Sequence, residues 1–194
     1  YRTIFRIPAR RFAAAGMTSA TMNLWFRLLF LVLSFAWRRK IAPPGEGSSL
    51  RYRVLPSDID LNLHMTNSRY ACFADLSRLD LFVRSGMIQA AFRRDWRPMM
   101  LASKIRFRRE LKTFRRFRVE TRIRWWSGTS IVYEHRFLTR ARDGSDILAA
   151  IALERGGFYA RKEKSFVQAQ DLFAAMGLPP VAAPEPTPEI LAFM

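Results

Sequence analysis

Hydrophobic and polar residues alternate with period two through much of the second half of the chain. Phe117, Val119, Thr121, Ile123 and Trp125 interleave with Arg118, Glu120, Arg122 and Arg124, which predicts a long strand buried on one face. Ile105 and Phe107 alternate with Lys104, Arg106 and Arg108, predicting a shorter strand over 104–108. Ser127-Gly128 is a turn signal, 131–139 follows as a strand, and Arg142-Asp143-Gly144-Ser145 reads as a hairpin turn. Residues 147–153 are more uniformly apolar, as in a central strand, and Gly156-Gly157 predicts a bulge or bend before Phe158-Tyr159-Ala160. Upstream, 50–55 reads as a short strand ending at Pro56.

The period changes after Thr66-Asn67-Ser68, a helix-start signal, and a helix is expected to run to about Ser85 and stop at Gly86. Its apolar positions, Tyr70, Phe73, Ala74, Leu76, Leu79, Leu81, Phe82 and Val83, cover most of its circumference, so it should be buried on several sides. Asp75, Arg78 and Asp80 mark the wetter face. A short helix is expected over 87–94. One long buried helix followed by an antiparallel run of strands argues for an α+β fold.

The ends read differently. Residues 1–16 are arginine-rich without periodicity and are expected to precede the natural start, with Met17 and Met22 as candidate initiators. Leu24–Trp37 is apolar apart from Arg27 and Ser34, and Arg38-Arg39-Lys40 follows at once. Spanning a bilayer takes about 20 apolar residues, so this run is expected to pack on the domain or touch a membrane surface, not to cross it. Residues 43–49, rich in Pro, Gly and Ser, read as a linker. A short helix is expected over 168–176, ended by Gly177, before a proline-rich tail expected to be extended or disordered. Three parts result: an N-terminal extension over 1–49, a globular domain over 50–167, and a short helix with its tail over 168–194.

Charge adds a constraint on partners. Net charge is +17 over 194 residues, nearly all of it from arginine. Such a field favours polyanions such as nucleic acid, anionic lipid or a ligand with several phosphates, although a plain solvated basic surface is an equal reading. A single cysteine, Cys72, excludes an intramolecular disulfide and any cysteine-based metal cluster, and its neighbours predict a buried, unreactive thiol. His64 and His135 give no metal spacing, and no glycine-rich phosphate loop or nucleic-acid motif is present. No cofactor or metal is expected, and no specific nucleic acid.

The densest chemistry lies in Val54–Tyr70, where Asp58, Asp60 and His64 precede Thr66-Asn67-Ser68 at a loop-to-helix junction. Unpaired N–H groups and the dipole at a helix start can stabilise an oxyanion, and a nearby carboxylate can act as base or nucleophile on an acyl group. The plainer alternative makes Asp58 and Asp60 turn residues, Asn67 an N-cap and His64 a packed side chain. Asp60, His64, Asn67 and Tyr70 resemble the active-site loop of the hotdog-fold acyl-CoA thioesterases, in the 4-hydroxybenzoyl-CoA thioesterase-like group. The string from Leu55 to Tyr70 is similar to the branch typified by thioesterase superfamily member six and its bacterial relatives, and Met22–Leu29 resembles the start of those relatives. The likeness extends over about 50–167.

That resemblance implies a hotdog fold, an antiparallel sheet wrapped round the long helix, and acyl-CoA hydrolysis with coenzyme A as part of the substrate. It assigns Asp60 as nucleophile or general base, the amide of Asn67 as the group polarising the carbonyl, and His64 as an orienting or donating residue. Asp58 is left to the turn. Arg106, Arg108 and Arg109 are the candidates for holding coenzyme A phosphates, with Arg115, Arg116 and Arg118 behind them. A homodimer, or a tetramer of such dimers, is implied, with each site completed by the second chain. A cytoplasmic location, peripheral at the inner membrane face through residues 24–37, is the matching expectation. Leu63 and Thr66 depart from the family's usual Gly before the histidine and Asn-Asn after it. Two further readings remain: a hotdog protein that binds an acyl-CoA or acyl-carrier thioester without cleaving it, and a membrane or nucleic-acid binder working through charge.

Overall fold

A computed structural model describes residues 19–194, and side chains from residue 23 onward; the expectations for residues 1–16 and for the initiators Met17 and Met22 lie outside the residues, or the side chains, so described. The chain order is α1 (Ser19–Ser34) with a 3₁₀ turn Phe35–Trp37, β1 (Ser48–Arg53), a 3₁₀ turn Pro56–Asp58, α2 (Asn67–Arg84), α3 (Met87–Phe92), β2 (Trp96–Phe107), β3 (Arg116–Ser127), β4 (Ser130–Arg140), β5 (Asp146–Ala160), β6 (Ser165–Phe166), α4 (Ala169–Ala175) and α5 (Pro188–Leu191). All pairings are antiparallel, in the order β1-β3-β4-β5-β2, with β6 added to β5.

The sheet curls round α2 because one set of alternating positions carries the apolar side chains. Val119, Phe137 and Ala150 lie in one cross-strand row, and Ile123, Tyr133 and Glu154 in another. The first row meets Tyr70, Phe73 and Ala74 of α2, and the second meets Leu81 and Phe82. The helix thus joins two halves of the core, as its wide apolar arc predicts. Asp80 corrects the expected wet face. It is wholly buried, accepting from Arg38 at 2.6 Å and Arg84 at 3.1 Å, since a charge so placed must be paired.

Four further expectations are revised. The strand expected over 104–108 begins at Trp96 and takes in Pro98, which an edge strand tolerates on its unpaired side. Gly156 and Gly157 lie against the expected bulge, but β2 carries it, between Met100 and Ala102 opposite Gly156 and Arg155. The two glycines stay in register with Met100 and Met99, and a Cβ at Gly156 would stand 2.7 Å from the Met99 carbonyl oxygen. The register also shifts at Ile123/Trp125 and Phe137/Leu138. The tail is not free: Ile190 is buried against Val132 and Leu153. Cys72 is half-buried beside Leu24, Trp25 and Leu28, not enclosed.

The described part of the N-terminal extension is docked on the sheet and helix. Leu31 belongs to the core, Ile41 N–H donates to the Arg84 carbonyl at 3.2 Å, and Gly47 lies so close to β3 that a Cβ would meet the Thr121 carbonyl at 2.6 Å. Among the described residues no helix is long and apolar enough to cross a membrane.

Candidate active site

The Val54–Tyr70 stretch folds into a small hairpin placed against the start of α2. Pro56 opens a 3₁₀ turn in which Asp58 N–H donates to the Leu55 carbonyl at 2.8 Å and the Asp58 carboxylate accepts from Leu55 N–H at 2.9 Å. Ile59 then bridges Met65 antiparallel, Asp60 N–H donates to the His64 carbonyl at 3.2 Å, and Thr66 N–H donates to the Asp58 carbonyl at 3.0 Å. These bonds return the chain on itself, so Asp60 shares one short hairpin with the first turn of α2.

Asp58 is the anchor of that hairpin. Its carboxylate is fully buried and accepts from Arg27 Nη2 at 2.7 Å and Asn23 Nδ2 at 3.0 Å, both on α1, with Arg69 Nε of α2 at 3.5 Å. Burial pulls the Arg27 guanidinium below its ordinary value, while the Asp58 charge works the other way. Arg27 also lies over the Phe73 ring at 4.6 Å. The turn role given to Asp58 therefore stands, and a larger one joins it: one carboxylate ties both helices to the loop. The sequence signal was present in Asn23 and Arg27, two polar residues four apart in an otherwise apolar helix.

Asp60 and His64 face each other across the hairpin tip, with His64 Nδ1 3.7 Å from Asp60 Oδ1. Asp60 Oδ1 accepts from Asn62 N–H at 2.9 Å, an Asx turn that fixes the carboxylate's rotamer. Its side chain is about one-third exposed at 36% and that of His64 30%, so the pair sits at the surface of a single chain. Leu63, where the family's glycine is usual, takes φ +60° and thus the backbone conformation a glycine would supply. Asn67 is the first residue of α2 and Thr66 its N-cap. The Thr66 hydroxyl makes no capping bond and instead pairs with Ser68 Oγ at 2.8 Å. An N–H at the first helical position has no helical carbonyl to reach, so the Asn67 amide directs its donor out of the helix.

The loop is pinned from outside by the connection between β2 and β3. Met65 N–H donates to the Leu111 carbonyl at 2.9 Å, His64 bridges Lys112, and Thr113 Oγ1 donates to the Leu63 carbonyl at 3.0 Å. Arg108 and Arg109 open this connection, both exposed, with their N–H groups on the Ala149 carbonyl at 2.8 and 3.0 Å. Arg106 does not join them. It alternates with Phe107, whose ring meets Tyr70 of α2 at 4.9 Å, and its guanidinium pairs with Glu189 of the tail at 3.4 Å. Arg118 is likewise engaged, by Asp146 and Glu120, and Arg115 by the Thr139 hydroxyl at 2.8 Å. Lys112, which sequence reasoning passed over, is brought next to His64.

A second polar feature lies deeper, between α2 and the sheet. His135 Nε2 lies 3.0 Å from the Glu154 carboxylate and its Nδ1 2.9 Å from the Thr121 hydroxyl, and Arg78 closes the chain on Glu154. Burial pushes the Glu154 carboxyl up, but His135 and Arg78 together outweigh it and leave its pKa below the ordinary value. Beside it, a cavity of about 180 Å³ is lined by Arg78, Phe82, Met99 and Tyr133 among others. The Tyr133 hydroxyl there is buried without a hydrogen-bond partner. Arg78 lies eleven residues along α2 from Asn67, about 16 Å at helical rise, so this cavity is separate from the hairpin of the same chain. Among the described residues no cluster of His, Cys, Asp and Glu could hold a metal.

Comparison with known proteins places this geometry. Residues 54–192 match the family model described as Thioesterase-like superfamily. Protein THEM6 of Xenopus laevis is 35% identical over 102 residues, covering 53% of this chain, and the chain spans only 48% of that relative's length. Protein THEM6 of Danio rerio is 31% identical over 137 residues, covering 70% of this chain and 66% of its own. Among solved structures, a mutant 4-hydroxybenzoyl-CoA thioesterase complexed with 4-hydroxybenzoyl-CoA superposes with a TM-score of 0.60 at 16% identity, over 67% of this chain and 98% of that one. That likeness establishes the hotdog fold: a curled antiparallel sheet on a central helix, with an N-terminal helix added. By sequence, the chain belongs to the Thioesterase-like superfamily.

Proposed function

We propose that the chain hydrolyses an acyl-CoA thioester at the Asp60–Asn67 hairpin. The observation that carries this reading is the hairpin itself: the Ile59–Met65 bridge and the Thr66–Asp58 bond hold a one-third-exposed carboxylate in the loop that leads into the uncapped start of a long buried helix. In one form of the reaction, Asp60 attacks the thioester carbon, the sulfur departs as coenzyme A thiolate, and water then cleaves the acyl–aspartyl anhydride. In the other, Asp60 takes a proton from water as the water oxygen attacks, and the same thiolate leaves. Both place negative charge on the carbonyl oxygen, where the Asn67 N–H and the helix dipole stabilise it; one such donor is worth about 3 kcal/mol of barrier. His64, 3.7 Å from Asp60, orients that carboxylate or donates to the substrate. Arg108 and Arg109, with Lys112, supply positive charge for the phosphates of coenzyme A.

A homodimer belongs to the same reading. Leu61 is wholly exposed and Leu63 66% exposed beside Asp60, so the walls of an acyl slot are missing from one chain. β2 offers a free sheet edge with Met99, Met100 and Leu101 exposed in succession, the kind of edge a second copy covers. The location that fits is cytoplasmic.

Thiol release from a panel of acyl-CoAs of varied chain length and aryl character tests the reading, beside equilibrium binding of the same compounds. Turnover supports hydrolysis. Tight binding with no thiol released identifies the chain as a thioester-binding hotdog protein instead.

A further inference from the structure

The polarity of α1 is inverted. Its Asn23 and Arg27 point into the protein, onto Asp58, while Leu24, Leu28 and Leu31 pack on the core. Among the described side chains the opposite face is apolar: Trp25, Phe26, Leu29, Phe30 and Leu33 are exposed, and Trp37 of the following 3₁₀ turn continues it, Phe30 at 76% and Trp37 at 83%. A helix resting on a globular domain ordinarily turns charge to water, and a contiguous exposed apolar face marks a surface that something covers.

The surroundings of that face are basic. Arg39 and Lys40 are exposed just past Trp37, and Arg51 and Arg53 are exposed on β1, an edge strand of the sheet. A groove of about 790 Å³ separates α1 from β1, with Phe26 and Phe30 on one wall and Arg51 and Arg53 on the other.

We propose that this face docks in the plane of a lipid bilayer bearing anionic headgroups. Leu29, Phe30 and Leu33 enter the acyl boundary, Trp25 and Trp37 sit at headgroup level at the two ends, and Arg39, Lys40, Arg51 and Arg53 meet lipid phosphates. Lipid fits better than a protein partner because the exposed side chains from 29 to 33 offer no hydrogen-bonding group, whereas protein interfaces carry about one hydrogen bond per 100–200 Å². Tryptophans at both ends with a cationic rim are what the headgroup layer favours, and the net charge of +17 acts in the same sense. Leu24, Leu28 and Leu31 hold the described helix against the core along its length, so it meets a bilayer lying along the surface. This proposal does not depend on thioester hydrolysis. Through Asn23 and Arg27, docking would hold the Asp58–Asp60 hairpin near the bilayer.

The test is sedimentation of the whole chain with phosphatidylglycerol–phosphatidylcholine vesicles and with pure phosphatidylcholine vesicles, at low and high salt. Expected are binding to the anionic vesicles at low salt, at least about tenfold weaker binding to the neutral ones, and weakening as salt rises. Arg51→Gln with Arg53→Gln should reduce binding about thirtyfold, and Phe30→Ser with Trp37→Ser about a hundredfold, each with an unchanged far-UV circular dichroism spectrum. If the latter pair unfolds, Leu33→Gln carries the same prediction alone. Absence of wild-type binding to anionic vesicles at low salt overturns the proposal, as does binding undiminished by Phe30→Ser with Trp37→Ser. So does dissociation, by those substitutions, of a dimer formed without lipid, which would assign the face to a second copy.

Discussion

The Asp58 carboxylate receives Arg27 at 2.7 Å inside the protein, across 31 residues of sequence. One buried anion thereby couples the N-terminal helix to the loop that carries Asp60. Arg69 at 3.5 Å and Asn23 at 3.0 Å complete its shell. Removing the charge leaves two poorly hydrated guanidinium groups facing a neutral side chain. Asp58→Asn should cost about 3–5 kcal/mol of unfolding free energy, read from urea denaturation. Limited proteolysis should then cleave first within α1, because that helix loses its polar attachment.

Leu63 tests whether the family's glycine is needed at this position. At φ +60° a leucine pays about 1–2 kcal/mol in backbone energy, and glycine would relieve it but lose about 0.5–1 kcal/mol to chain entropy. The two nearly cancel, so Leu63→Gly should change stability by less than about 1 kcal/mol. Leu63→Val, β-branched at a left-handed position, should cost roughly 1–2 kcal/mol more than Leu63→Gly. Thermal melts of the three proteins under one buffer decide it.

Glu154 gives a pH dependence with a definite sign. Its folded pKa lies below the ordinary 4.5, so its contribution is fully present above about pH 4.5 and is lost as pH falls through the lower folded value. Unfolding free energy of the wild type should therefore fall with pH in that acid window. Glu154→Gln should be less stable at neutral pH and flatter in the acid window, because the titrating group is gone. An equal acid slope in both proteins would show that other carboxylates govern it.

Edge strand β2 should be where two copies meet. Leu101 lies at the register shift between Met100 and Ala102 and is exposed, so lysine there adds charge without emptying the core. Light scattering should give twice 22.6 kDa for the wild type and the monomer mass for Leu101→Lys. Hydrolysis should fall with the dimer.

Much of the fold was legible because period two and the wide apolar arc of α2 are direct consequences of one sheet wrapping one helix. The helix ends at Asn67 and Arg84 and the paired strands of 117–139 follow from residue type alone. What escaped depends on distant partners. Asp80 reads as a surface charge until Arg38 and Arg84 are seen on either side of it. The first half of β2 lacks alternation because its residues 97–101 are exposed in the single chain and so carry no burial pattern. That Asp60, His64 and the start of α2 at Asn67 fall in one short stretch was readable from the string itself. The anchoring of their loop by Asp58 and by Leu111–Thr113 was not, because those contacts join segments tens of residues apart.

Asp60 is the residue expected to perform the chemistry. Asp60→Asn keeps the side chain's shape and its acceptor for Asn62 N–H, so the hairpin should persist. Steady-state hydrolysis of the best acyl-CoA, measured with equilibrium binding of the same compound, should show kcat reduced about 10²–10⁴-fold with affinity unchanged within a few-fold. A kcat equal to that of the wild type would rule out Asp60 as nucleophile or base.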